Sequence, residues 1–433
     1  MIRLASIKII SYLWLGSVLG AGCAFVTQVI LARELNPADF GTLAAALGMV
    51  TLVAPLASFG VGGFWLKSFG QEGWQARRWL RASLKYALAT TSLVLVALWI
   101  WGGVGPHDAS TRSLLLVLSS YLLGLVTVEM VSAKLQLEER YVELAIWQFF
   151  PHFLRLLLVL ILVFITVKSV TPWGVACAYS IISFGVFIYG MSSLWRLYCG
   201  NLDLQGHGKV RGGFNITNVS PSIIAVAAQS WPFGLAGVFY LIYFQSDVIL
   251  LKYISGDEAA GQYNVAFVIM AAVYLLPSVI YQKFLLPKIH RWANHDREQF
   301  YRIYRTGNLI MLLLGLLAML MIWVLAPWGV PLFFSSSYME AIIPLNILAL
   351  AAPIRFVATS VGSTLATRQH MKKKVWYMAF TAILNIFLNI LLIPEYGIVG
   401  AAIATVVSDA ALLILYVYSA KYHVFFKGSL NVR

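Results

Sequence analysis

What most limits this chain's fold is a recurring pattern: stretches of about 20 apolar residues, each closed by a few polar, glycine or proline residues. A helix needs about that length to cross the roughly 30 Å hydrocarbon layer, where no water can satisfy an unpaired backbone group. About twelve such stretches are read, at 9–32, 41–65, 83–103, 113–134, 145–167, 173–194, 230–254, 261–284, 307–327, 341–365, 375–393 and 397–420. Apolar residues make up 60% of the 433 and mean hydropathy is +0.81. Charged residues are 11%, against about 25% in soluble domains. A soluble enzyme, a disordered chain and a disulfide-stapled domain are thereby excluded. The expected fold class is an all-α integral membrane protein.

The net charge of +14 would suggest nucleic acid in a soluble protein. Here its distribution matters more. An even number of spans leaves both termini on one side, and that side holds 25 of the 31 Lys and Arg residues. Arg77, Arg78, Arg81 and Lys85 form one cluster, and Lys288, Arg291, Arg297, Arg302 and Arg305 another. The opposite loops hold Arg33, Arg112, Lys168 and Lys252, while Arg155 and Arg355 fall inside spans. The positive-inside rule therefore puts both termini in the cytoplasm, with no nucleic-acid partner.

The outer loops are short, the longest running from Trp101 to Arg112. They leave no extracytoplasmic domain for an active site, which argues against a membrane glycosyltransferase or glycan polymerase and for a protein that is not an enzyme. Cys23, Cys177 and Cys199 have no metal-ligand spacing, and the seven histidines show no zinc-type pairing. No metal and no cofactor are expected. Arg3, Lys8 and the apolar run to Cys23 imitate a lipoprotein signal, but the run continues to Ala32 and reads as a span. The sequons at Asn215 and Asn218 fall in a cytoplasmic loop. The stretch Gly206 to Gly213 reads as a flexible linker. The segment 283–305, basic with interspersed Trp292, Phe300, Tyr301 and Tyr304, reads as an interfacial amphipathic helix.

Leu31–Gly41 and Leu251–Gly261 each close a span and open the next, at an offset of 220. Pro172-Trp173-Gly174-Val175 and Pro394-Glu395-Tyr396-Gly397-Ile398 echo one another at nearly the same offset. Two parallel halves are expected: a six-helix bundle over 1–198, a cytoplasmic linker over 199–229 and a second six-helix bundle over 230–433.

The stretches LARELNPADFGTLAAA (31–46), SDVILLKYISGDEAAGQYNVAF (246–267) and NIFLNILLIPEYGIVGAAIATVVSD (385–409) carry a family likeness. The chain resembles, along its whole length, the polysaccharide transporters of the multidrug/oligosaccharidyl-lipid/polysaccharide (MOP) exporter superfamily, above all the Wzx-type O-antigen and exopolysaccharide flippases. MurJ-type lipid II flippases are similar too, but usually carry two further C-terminal spans, whereas this chain ends at Arg433. The resemblance implies a MATE-like fold, two pseudo-symmetric six-helix bundles facing a central cavity. It implies transfer of an undecaprenyl-pyrophosphate-linked oligosaccharide across the bacterial inner membrane by alternating access, driven by an ion gradient or the membrane potential. Implied partners are that lipid-linked substrate, membrane lipids, a polysaccharide polymerase and a chain-length regulator, with one chain as the working unit. A multidrug/cation antiporter of the same superfamily is the alternative.

Ionisable residues inside spans mark candidate sites, because each costs about 2.5–3.5 kcal/mol at a helix centre on insertion scales. Arg155 and Arg355, one in each expected half, are planar bidentate donors suited to phosphate oxygens. With Lys67, at the cytoplasmic end of the second span, they are the candidate substrate-binding residues. Asp409, Glu129 and Asp247 are candidates for ion coupling or for ion pairing with the arginines. Arg33 and Glu34 are candidate outer-gate residues. Structural pairing of Arg155 and Arg355 with those acids, and snorkelling of Lys67 to lipid phosphate, remain open as alternatives.

Overall fold

The computed structural model describes residues 4–165, 170–205, 221–278, 280–281, 285, 289, 297–365 and 371–426, all in helices or short connections, with no strand among them. The stretch Gly206–Gly213, the two sequons and most of segment 283–305 lie outside the described residues. The helices are α1 (Leu4–Glu34), α2 (Pro37–Ser58), α3 (Val61–Glu72), α4 (Leu80–Val104), α5 (Ala109–Leu137), α6 (Tyr141–Ile165) and α7 (Pro172–Tyr198). They continue with α8 (Ile223–Ser255), α9 (Asp257–Ser278), α10 (Arg297–Phe334), α11 (Ile342–Ala349), α12 (Ala351–Thr364) and α13 (Met371–Ser419).

Local chemistry sets several of these ends. Asp108 caps α5 by accepting from the Thr111 N–H at 3.0 Å, and Thr171 caps α7 by accepting from the Gly174 N–H at 3.2 Å. Each satisfies a donor that the first helical turn leaves without a partner, and Pro172 follows at a position where no N–H is needed.

Among the described residues nine helical runs are long and apolar enough to cross a membrane, or ten if Ser336–Ala349 and Ala351–Thr364, bent by 44°, form one span. The protein is thus a multi-pass, all-helical membrane protein. Two of those runs exceed one crossing: Pro37–Val104 has 68 residues and Lys373–Tyr422 has 50, whereas a bilayer core takes about 20. The first is interrupted at Phe59 and Gly60, with φ of 37° and 77°. The expected second span is therefore two segments, α2 and the start of α3. The second run breaks at Gly397 (φ 53°, ψ −130°), conformational space that a side chain would forbid. The bend ahead of α12 has its own cause. Pro353 has no N–H to give to the carbonyl of Ala349, so the helix opens there.

The chain divides into two compact units. One comprises Met1–Thr27 and Ala46–Leu241, the other Gln28–Ala45 and Ile242–Arg433. In the first, α5 lies so close to α7 that a Cβ on Gly124 would stand 2.6 Å from the Ser183 Cβ. Small residues at a contact let backbones approach, the usual source of helix association where lipid removes the hydrophobic incentive. In the second unit, apolar packing centres on Tyr281, Ile289, Phe300, Met311 and Phe356, with a neighbouring group of Ala358, Val361, Leu365, Tyr416 and Ala420. There α2 and α9 also cross reciprocally. A Cβ on Gly41 would overlap the Asp257 carbonyl oxygen, and one on Gly261 would overlap that of Pro37. The equivalent glycines of the two sequence echoes thus meet.

Candidate functional site

In the first unit Arg155 lies on α6, 6% exposed. The α5–α7 approach that needs Gly124 also carries Tyr121, one turn earlier on α5, and Tyr179, one turn before Ser183 on α7. The Arg155 guanidinium sits 4.7 Å from the Tyr121 ring centre and 5.3 Å from that of Tyr179. Its Nη2 donates to Ser183 Oγ at 3.4 Å, and its buried Nε has no hydrogen-bond partner. Among the described residues no carboxylate forms an ion pair with Arg155. Ring faces offset part of the desolvation of a cation, worth about 2 kcal/mol in a dry site, while leaving its charge uncancelled.

Arg355, on α12 in the second unit, is also caged: its guanidinium lies 4.9 Å from the ring centre of Tyr243, 5.2 Å from Phe244 and 4.6 Å from Tyr274. Here an acid is present. Arg355 Nη1 is 3.8 Å from Asp409 Oδ2, and the Tyr243 hydroxyl donates to Asp409 Oδ1. Acid pairing, left open by the sequence for both arginines, is present at Arg355, and among the described residues no acid pairs with Arg155.

Asp247 organises a polar cluster beside this pair. It is buried and accepts from Tyr263 Oη at 2.7 Å, from Asn389 Nδ2 at 2.7 Å and from the Thr405 hydroxyl. Ser246 donates to Asn385 Oδ1 at 2.9 Å. The spacing is helical throughout: Tyr243 and Asp247 on α8, Thr405 and Asp409 on the second segment of α13, and Asn385 and Asn389 on its first segment each stand four apart. Tyr243 meets Asp409 and Asp247 meets Thr405, so the two helices join as rungs. Asn385 Nδ2 and Asn389 Oδ1 are buried without a partner. Among the described residues no group of three or more His, Cys, Asp or Glu forms a metal-type cluster.

The remaining sequence candidates are placed separately. Glu129, on α5, is exposed, and its Oε2 accepts from Ser58 Oγ at 2.7 Å, just before the Phe59–Gly60 break. Lys67 is exposed on α3. Arg33 donates from Nε to the Phe333 carbonyl at 2.8 Å and from Nη2 to that of Leu332. These are C-terminal carbonyls of α10, which favour a cation. Glu34 is exposed and does not bond to Arg33. Beside them Tyr338 donates to the Leu35 carbonyl at 3.2 Å and meets Phe40 edge-on at 5.9 Å.

Sequence reasoning passed over Tyr121, Tyr179, Ser183, Tyr243, Tyr263, Tyr274, Asn385, Asn389 and Thr405. A signal existed: polar residues four apart inside apolar runs. Moreover, two of the stretches that carried the family likeness, 246–267 and 385–409, contain Asp247, Tyr263, Asn385, Asn389, Thr405 and Asp409, the members of this cluster.

Solved structures define the fold first. The fold is that of MOP superfamily transporters: an inward-facing MATE multidrug-resistance transporter superposes with a TM-score of 0.72 at 14% identity, covering 93% of this chain and 94% of that one. The lipid II flippase MurJ gives 0.71 at 13% identity, covering 94% and 87%. The family follows from sequence. Residues 6–293 match the profile described as "Polysaccharide biosynthesis protein", and the chain belongs to that family. Curated relatives are archaeal. The probable low-salt glycan biosynthesis flippase Agl15 of Haloferax volcanii is 23% identical over 94% of this chain and 81% of its own length. The probable flippase AglR of the same organism is 28% identical over 45% of this chain and 42% of its own length. An uncharacterized membrane protein of Methanocaldococcus jannaschii is 24% identical over 55% of this chain, the match spanning about half of that protein (56%).

Proposed function

We propose that this protein is a flippase for a lipid-linked oligosaccharide, and that its cargo is a polyprenyl-pyrophosphate-linked repeat unit of the O-antigen or exopolysaccharide type, undecaprenyl being the carrier. The observation that carries the reading is Arg155: a buried, permanently charged group within a spanning helix, held by two tyrosine faces and, among the described residues, joined to no carboxylate. A cation kept uncancelled in that setting suits an anionic ligand, and a pyrophosphate presents the oxygens that a guanidinium binds in pairs. Family membership and the flippase relatives support the same reading.

In this reading Arg155 and Arg355 are phosphate ligands, one in each unit, and Lys67 meets the arriving headgroup. Asp409 holds Arg355 until phosphate competes for it. Asp247, with Asn385, Asn389 and Thr405, takes the coupling ion or proton, and movement follows alternating access across twelve crossings with both termini cytoplasmic. The halves 1–198 and 230–433 descend from a duplication, for which the Gly41–Gly261 contact is support. Arg33 anchors the outer end of the chain's first helix, and Glu34 lies at the outer gate. A polymerase and a chain-length regulator are its partners, and one chain suffices for transport.

The test is complementation of a flippase-null strain with wild type, Arg155→Ala, Arg355→Ala and Arg155→Lys, reading surface glycan and protein level together. Loss of glycan at normal protein level is expected for Arg155→Ala, with failure of Lys where bidentate geometry matters. Normal glycan in both alanine variants overturns the phosphate-ligand assignment. A second reading, a multidrug or cation antiporter, is favoured by the exposed carboxylate of Glu129. Drug efflux lost in Glu129→Gln, with glycan unaffected in every variant, would put it first.

A further inference from the structure

One cavity of the second unit belongs to none of the groups described above. It has a volume of about 770 Å³ and lies between α10, α12 and Leu413 of α13, within the 300–1,000 Å³ usual for small-molecule sites. Its polar residues gather at one end, Arg305, Thr306 and Asn308, and its other wall residues, Leu312, Leu316 and Ile354 among them, are apolar.

Arg305 is placed by its sequence. It is the last charged residue before an uncharged run that continues to Glu340, so it sits where α10 passes from the interface into the hydrocarbon. It is exposed and makes no hydrogen bond or ion pair with the described residues, whereas Arg302, one turn earlier, is held by Glu298 at 3.2 Å. Asn308 is fixed through its carbonyl, which accepts from Ser360 Oγ at 2.6 Å. At the other end a Cβ on Gly315 would overlap the Pro353 Cα, so α10 and α12 touch backbone to backbone and close the groove near Leu316. From Arg305 to Leu316 the helix climbs about 16 Å, half the roughly 30 Å thickness of the hydrocarbon core.

We propose that this groove is a binding site for an anionic phospholipid of one leaflet, its phosphate on Arg305 and one acyl chain laid along Leu312, Leu316 and Ile354. The length argues for this occupant. The groove ends where one leaflet ends, which suits an ordinary acyl chain and leaves no course for a long polyisoprenoid. The charge argues for an anionic headgroup: a free guanidinium binds phosphate in a bidentate manner, and among the described residues no acid lines the groove to hold the ammonium of a zwitterionic lipid. The sidedness proposed above makes the leaflet the cytoplasmic one, and only that clause depends on the functional reading.

The test is lipid retention by the purified full-length protein, measured by native mass spectrometry with dioleoyl phosphatidylglycerol and dioleoyl phosphatidylcholine at equal concentration. Wild type is expected to keep the phosphatidylglycerol about tenfold better, the size of one charge-assisted contact. Arg305→Gln should bring it down to the phosphatidylcholine level, Arg302→Gln should leave it unchanged, and Ile354→Trp, which fills the groove, should reduce both lipids. Equal retention of the two lipids by wild type, or an equal loss in Arg302→Gln and Arg305→Gln, overturns the site. Displacement of phosphatidylglycerol by a polyprenyl phosphate, abolished in Ile354→Trp, assigns the groove to the carrier tail and overturns the phospholipid. None of these outcomes depends on whether the protein flips glycans.

Discussion

Arg155 and Arg355 are solutions to the same problem in the two units, reached with different neighbours. Both carry a guanidinium among aromatic faces inside apolar helices. Arg355 has three rings and also Asp409, whose other oxygen is held by Tyr243. Arg155 has two rings and a serine and, among the described residues, no acid. A buried ion pair stabilises little by itself, but breaking one strands the remaining charge. The aromatic cage without an acid strands nothing. The difference separates a guanidinium paired with an acid from one that, among the described residues, has aromatic faces and a serine alone.

The largest test of that contrast is Arg355→Ala, expected to destabilise the purified protein by about 3–5 kcal/mol because Asp409 is left buried and unpaired. Adding Asp409→Asn should recover a good part of that loss in a thermal or denaturant unfolding measurement. An equally large loss in Arg155→Ala would erase the distinction. Next comes Asp247→Ala, which takes an acceptor from Tyr263, Thr405 and Asn389, the last of which keeps Asn385. A cost of about 2–3 kcal/mol is expected, with Asp247→Asn losing less stability but the same transport if the carboxylate carries the coupling ion. Arg155→Ala should cost about 1–2 kcal/mol, the scale of a desolvated cation–π contact, while abolishing glycan transport. A variant stable and inactive in this way is the signature of a ligand-directed charge. Smallest is Ser183→Ala, about 0.5 kcal/mol for a long hydrogen bond, measured in the same unfolding assay.

Much of the secondary structure was legible because its causes are local. The expected break between 393 and 397 falls at Pro394 and Gly397, and the start of α7 at Pro172, since proline and glycine act on their own backbone. The sequence reads as one continuous span across 41–65. Its apolar composition gives no warning of the break at Phe59 and Gly60, where α8 comes so close that a Cβ on Gly60 would overlap the Gly234 backbone nitrogen. The bend in the tenth span again has a local cause, since Pro353 stands just past it. At the candidate site, the charged residues stood out from their apolar surroundings, but their aromatic cages did not. Tyrosine is ordinary inside a membrane helix, and only the approach of α5 to α7 turns Tyr121 and Tyr179 into walls.

From the sequence alone came the commitment to a membrane, the helical class, the family likeness and the identity of the intramembrane charges. Each follows from composition and from spacing along one chain segment, where the lipid core admits few backbone arrangements. Which arginine received an acid was decided by the tertiary structure alone. Arg355 and Asp409 are far apart in sequence and meet because the register between α12 and the second segment of α13 brings them within 3.8 Å. Among the described residues no carboxylate is brought to Arg155. Periodicity assigns a residue to a face of its own helix, and only packing selects what that face meets.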